Sequence, residues 1–210
     1  MRRMRVGAAL LVWLWLALGP LGLARAESEA EESPPALFVV GPRTAGLALG
    51  YGHGVSVIAA GEFESSGARM LLVVPHWQMD MTRPPLHPAW YKGSLAIRLE
   101  PTFGVNFRPR SGYLIGLNML LRYRFLRWES VAPYLELGAG PAYIDLDIRD
   151  QIDGFAFIPT AGAGVTWRTW ERVSLELGVR LQHISNAYTR RPNGGVDTVQ
   201  VLLGAAYHFD

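Results

Sequence analysis

The sequence predicts an all-β protein, an eight-stranded antiparallel barrel, on three observations. Apolar and polar residues alternate with period two over eight separate segments, which places one set on each face of a strand. Several segments exceed the roughly 5–6 residues usual in a soluble sheet. The polar parity is also rich in glycine (Gly46, Gly50, Gly52, Gly138, Gly140, Gly162, Gly164), as the interior of a narrow barrel requires. The segments are 44–57, 68–81, 95–107, 113–125, 131–147, 154–170, 173–186 and 196–209.

Ahead of them, Arg2, Arg3 and Arg5 form a basic start. An apolar run over 7–23 is broken by Gly19 and Pro20, and Ala24-Arg25-Ala26 supplies a small-x-small cleavage signal. That order reads as a secretory signal peptide over 1–26, followed by an acidic, proline-containing leader over 27–43 and a barrel domain over 44–210. Removing four of the 20 Lys+Arg with the peptide leaves 16 against 18 Asp+Glu, a net of −2. The basicity of the whole chain therefore belongs to targeting, and no basic stripe argues for nucleic acid. Without cysteine there are no disulfides and no thiolate metal sites.

The first segment pairs its glycines with an apolar parity that includes His53, a residue suited to an interfacial girdle. In the second, Trp77 is an interface anchor, as is Trp90 beyond the proline-rich connection over 82–89. His76 and His87 flank that connection, which reads as a solvated turn, and two scattered histidines make no metal site. The third and fourth segments set Leu95, Ile97, Leu99, Phe103, Val105 and Phe107, then Tyr113, Ile115, Leu117, Met119, Leu121 and Tyr123, against Arg98, Glu100, Arg122 and Arg124. The turn over 109–112 makes them a hairpin, and Glu100 with Arg98 or Arg122 is expected to form a charge network inside the barrel. Asp145, Asp147, Asp150 and Asp153 straddle the exterior loop between the fifth and sixth segments, where solvated charges are the default reading and Ca²⁺ binding the alternative.

Alternation alone does not separate a soluble sandwich from a membrane barrel. Aromatic residues ending the apolar sets (Tyr113, Tyr123, Phe125, Tyr207, Phe209), an even strand number and a signal peptide favour an outer-membrane β-barrel with polar side chains inside. Closure removes the unpaired edges that lipid does not tolerate. With both termini periplasmic, the loop over 188–195 lies at the cell exterior, against the lipopolysaccharide leaflet of a Gram-negative outer membrane.

The last two segments carry the candidate chemistry. The apolar parity Val173, Leu175, Leu177, Val179, Leu181 continues into His183 and Ser185, and the next strand starts its matching parity with Asp197. Same-face neighbours two apart are ~6.6–7 Å apart at Cα. Asp197 falls either opposite His183, with Cβ atoms ~4.5–5.5 Å apart, or diagonal to it at ~7–8 Å. A hydroxyl, an imidazole and an acid on one greasy face suit ester hydrolysis. Ser185 attacks, His183 moves the proton, Asp197 fixes the ring, and backbone N–H groups around Asn186 and Ala187 receive the oxyanion.

His183-Ile184-Ser185-Asn186-Ala187, then Asn193-Gly194-Gly195-Val196-Asp197, then a strand ending Tyr207-His208-Phe209, resembles the C-terminal signature of the lipid A 3-O-deacylase family, also called the PagL or acyloxyacyl hydrolase family. The resemblance implies an eight-stranded outer-membrane barrel whose Ser, His and acid remove the ester-linked 3-O acyl chain of lipid A, and it carries those roles to Ser185, His183 and Asp197. The third member in that family is usually Glu, the residue at Tyr188 is often Gly, and Gly194 stands for a Pro. The expected partners are lipopolysaccharide and the outer membrane, with room for a homodimer and with no cofactor or metal. The alternative is a catalytically silent barrel with a structural or surface-binding role.

Overall fold

A computed structural model of the chain describes residues 43–58, 67–82, 93–125, 130–149 and 151–209. The proposed signal peptide and all but the last residue of the proposed leader lie outside the described residues, as do His87, Trp90 and Asp150. Among the described residues ten strands follow in order: β1 (Arg43–Val55), β2 (Arg69–Asp80), β3 (Gly93–Arg108), β4 (Gly112–Phe125), β5 (Val131–Ala139), β6 (Pro141–Asp145), β7 (Gly154–Phe157), β8 (Thr160–Arg168), β9 (Val173–Ile184) and β10 (Val196–Phe209).

These ten strands make eight staves. β5 and β6 both pair with β4 and form one stave; β7 and β8 pair with β6 and β5 and form the next. The breaks fall at Gly140-Pro141 and Ile158-Pro159, where proline has no N–H for the ladder. Antiparallel pairing runs around the whole set, and β10 returns to β1 from Arg43↔Phe209 to Val55↔Asp197. The barrel is closed.

Alternation sets which side chains face out. Leu47, Leu49, Leu71, Val73, Leu135, Leu137, Leu177, Val179, Val201 and Leu203 form an exposed apolar belt. Aromatic rings flank it: Tyr51, Phe107, Tyr113, Tyr143, Phe155 and Phe157 toward one end, and Trp77, Trp167, Tyr207 and Phe209 toward the other. Water would not tolerate so continuous an apolar surface, and a belt between aromatic girdles is what a bilayer selects.

The interior is only in part the expected polar lumen. Toward the end that carries the β9–β10 loop, Met70, Leu72, Leu114, Ile144, Ile158, Ile184 and Leu202 belong to one buried apolar cluster, beside the buried polar Asn106, Thr160, Gln182, Thr198 and Gln200. The segments supplying them are apolar on both faces, so alternation of polarity does not betray them. Below the cluster lies a closed cycle of six buried charges. Arg98 bonds Glu100 and Glu176, Arg122 bonds Glu176 and Glu136, and Arg180 bonds Glu136 and Glu100. Since β3 and β9 are not neighbours in the barrel, Arg98 to Glu176 at 2.7 Å and Arg180 to Glu100 at 2.7 Å cross the lumen. Every charge has two opposite partners, the condition under which burial of ions is tolerable. The Arg122 guanidinium also lies 3.8 Å over the Tyr134 ring. His76 lies inside β2, within the second alternating segment, and is 4 % exposed with its ring against Gly46.

Candidate active site

β9 ends at Ile184, so His183 is its last outward-facing residue and Ser185 lies one step beyond the strand on the same parity. The register pairs Asp197 of β10 directly with His183. Of the two arrangements that spacing allows, the direct one is formed. The ring Nδ1–H donates to Asp197 Oδ1 at 2.6 Å, a bond that fixes the tautomer and leaves Nε2 as the acceptor. Nε2 has no protein partner among the described residues.

Asp197 shares the outward parity yet is 0 % exposed. Its cover comes from the chain just past β1: the N–H groups of Val57, at 2.9 Å, and of Ile58 both donate to Oδ2. Ser185 is held by its backbone. Its N–H donates to Phe157 O at 3.1 Å and its carbonyl accepts from Phe157 N–H at 2.7 Å, while His183 N–H donates to Pro159 O at 2.9 Å. The interrupted stave of β7 and β8 thus grips both residues around its proline break. The Ser185 hydroxyl makes no hydrogen bond to the His183 ring in this geometry.

Beyond Ser185 the chain turns sharply, with Ala187 at φ 52° and Tyr188 at φ 60°. Asn186, fully buried, organises that turn: its N–H donates to Asn193 Oδ1 at 2.9 Å, its side-chain amide to Arg190 O at 3.0 Å, and its carbonyl accepts from Thr189. The Asn186 N–H is therefore engaged, whereas the Ala187 N–H has no partner among the described residues. On the other side of the ring stands Gly195 at φ +77°, where a Cβ would come within 2.6 Å of His183 Cε1. Its N–H donates to Gln151 Oε1 at 3.2 Å, tying the loop to the turn between β6 and β7.

Reading the sequence missed Val57, Ile58, Gln151 and Gly195 as parts of this site. Only Gly195 left a signal, as one of two adjacent glycines just before a strand. A Ser–His hydrogen bond at the far end of the barrel shows by contrast what the His183 ring has. His208 Nε2 lies 2.9 Å from Ser174 Oγ, but Nδ1 lies 2.9 Å from Arg168, which can only donate. Nε2 must then carry the proton and donate to the serine, so this pair holds no base. At His183 a carboxylate occupies the place of that guanidinium and the polarity is the reverse.

The sequence model of one family, described as lipid A 3-O-deacylase (PagL), matches residues 73–206, more than half of the chain. The chain belongs to that family. Among solved structures it is similar to the outer membrane enzyme PagL, at 18 % identity and a TM-score of 0.57, over 76 % of this chain and 97 % of that one. It is similar also to Neisserial surface protein A, at 16 % and 0.54 over 80 % and 97 %, and to the attachment invasion locus protein Ail of Yersinia pestis, at 14 % and 0.51 over 81 % and 100 %. At such identities the likeness is one of fold, the eight-stranded outer-membrane barrel. Among curated proteins none matches the chain. Membership in the PagL family makes this an outer-membrane barrel of the lipid A deacylase kind, and the family match includes His183, Ser185 and Asp197.

Proposed function

We propose that this PagL-family barrel is an esterase that removes the ester-linked 3-O acyl chain of lipid A from the outer leaflet of a Gram-negative outer membrane, after cleavage of its signal peptide. Ser185 Oγ attacks the acyl carbonyl as its proton passes to His183 Nε2. Asp197 holds the ring in the receptive tautomer and stabilises the imidazolium. The Ala187 N–H donates to the oxyanion, and Asn186 keeps the turn in shape to present it. Collapse expels the sugar oxygen, protonated from His183. Water then releases the fatty acid by the same route.

The observation that supports this reading is the bond from His183 to the buried Asp197, with the other ring nitrogen unengaged and Ser185 on the same outer face. A long Ser–His separation is common before substrate binds and tightens in the complex. The outward parity that all three share supports a site open to the lipid side of the wall rather than to the lumen, with Asp197 covered by the chain past β1. The test is the mass spectrum of lipid A from cells expressing the wild type beside Ser185→Ala. The wild type should remove one 3-O hydroxyacyl unit, and Ser185→Ala should lower the rate by roughly 10⁴-fold or more. Lipid A left intact by a correctly folded wild type would favour the silent barrel instead.

A further inference from the structure

From the placement of the chain just beyond β1, we infer that the backbone N–H groups of Val57 and Ile58 are positioning groups for the acid of the site, a part of the machinery supplied by the first strand rather than by β9 or β10. The inference rests on the esterase reading for its catalytic consequence and on geometry for its existence. Asp197 is buried, and a carboxylate without water needs donors for both oxygens. Oδ1 serves His183, and Oδ2 receives Val57 N–H at 2.9 Å together with Ile58 N–H. One oxygen is anchored so that the other is aimed.

The register explains how the first strand arrives there. Val55 is the partner of Asp197 across the β1–β10 seam, so the residues two and three farther on curl over the carboxylate. The arrangement also answers the shortness of the side chain. An aspartate reaches one methylene less far than the glutamate usual in the family, and here backbone donors come to it. Because main-chain amides supply the contact, the side chains of Val57 and Ile58 are left outward and exposed, at 64 % and 61 %. Their identities matter little, and only proline removes the donor.

The test uses the barrel refolded in detergent micelles and in liposomes containing lipopolysaccharide. In ¹H–¹⁵N spectra the Val57 and Ile58 amide protons should be downfield and slow to exchange, and both should move upfield and lose protection in Asp197→Ala. Two amides indifferent to that substitution would overturn the inference, whatever the protein hydrolyses. On lipopolysaccharide, Val57→Pro and Ile58→Pro should each lower kcat about tenfold with KM unchanged, the effect of losing one charge-assisted hydrogen bond. The proline effect should vanish in an Asp197→Ala background, where no carboxylate remains to be held, and should shrink in Asp197→Glu, whose longer side chain changes the geometry being held. Proline substitutions equally harmful with and without Asp197 would also overturn it. A wild type that leaves lipopolysaccharide intact while the two amides still respond to Asp197→Ala would sink the esterase reading alone.

Discussion

At the scale of single residues, the His183 ring is positioned by contacts on two sides. Asp197 holds it through Nδ1, and the backbone at Gly195 closes against its edge. A methyl group at Gly195 has no room, since its carbon would lie 2.6 Å from Cε1, and φ +77° is itself unfavourable for any residue with a Cβ. We expect Gly195→Ala to push the ring off Asp197 and reduce kcat on the order of 100-fold, the cost typical of displacing a catalytic group by about 1 Å. Steady-state deacylation by the refolded protein measures this; an unchanged rate would show that the ring is not held there. The candidate residues themselves were legible because parity on a strand is a one-dimensional property: His183, Ser185 and Asp197 announce their common face by spacing alone. Gly195 was not, because a glycine before a strand usually signifies only a turn.

Among the elements, the connection from β9 to β10 carries two of the three described non-glycine residues with positive φ. Ala187 and Tyr188 both occupy left-handed backbone, and Tyr188 is 73 % exposed, so packing does little to offset its cost. The conformation persists because the Asn186 bonds to Asn193, Arg190 and Thr189 determine it several times over. Glycine adopts this backbone freely, and Tyr188→Gly should stabilise the barrel by about 1 kcal/mol. Urea unfolding in liposomes tests this, and a loss of stability would mean that the tyrosine ring contributes packing to the folded state. The staves were likewise legible: the eight alternating segments correspond to eight staves, with ends displaced by a residue or two. The proline breaks in the fifth and sixth staves were not, although Pro141 and Pro159 mark them, because each apolar parity runs through the break unchanged. The break in the sixth stave serves the site, since Pro159 and Phe157 provide the backbone bonds to His183 and Ser185.

For the whole molecule, the six-charge cycle joins opposite walls of the barrel below the apolar cluster. Arg180 bonds both Glu100 and Glu136, and no other described cation replaces it at either carboxylate without abandoning its own partners. Replacing it with an apolar residue strands buried negative charge. Arg180→Leu is expected to destabilise the barrel by about 3–5 kcal/mol, read from the midpoint of denaturant unfolding by tryptophan fluorescence. A shift below about 1 kcal/mol, the scale of an exposed ion pair, would show that water reaches the cycle. β9 carries Glu176 and Arg180 inward and His183 outward, so one strand anchors the interior and the candidate site at once.

By itself the sequence determined the fold class, the number of staves and the face of the side chains where polarity alternates, and it singled out the three residues of the candidate site, because all of these follow from period-two alternation and a short C-terminal motif. What only the tertiary structure decided were the relations across the barrel. It chose the direct His183–Asp197 register, brought the amides of Val57 and Ile58 from the first strand onto Asp197 in the last, closed the charges of β3, β4, β5 and β9 into one cycle, and buried His76. The physical reason is the same in each case. Alternation records which way a side chain points, but which distant group it meets is fixed only when the first strand pairs with the last and the sheet closes.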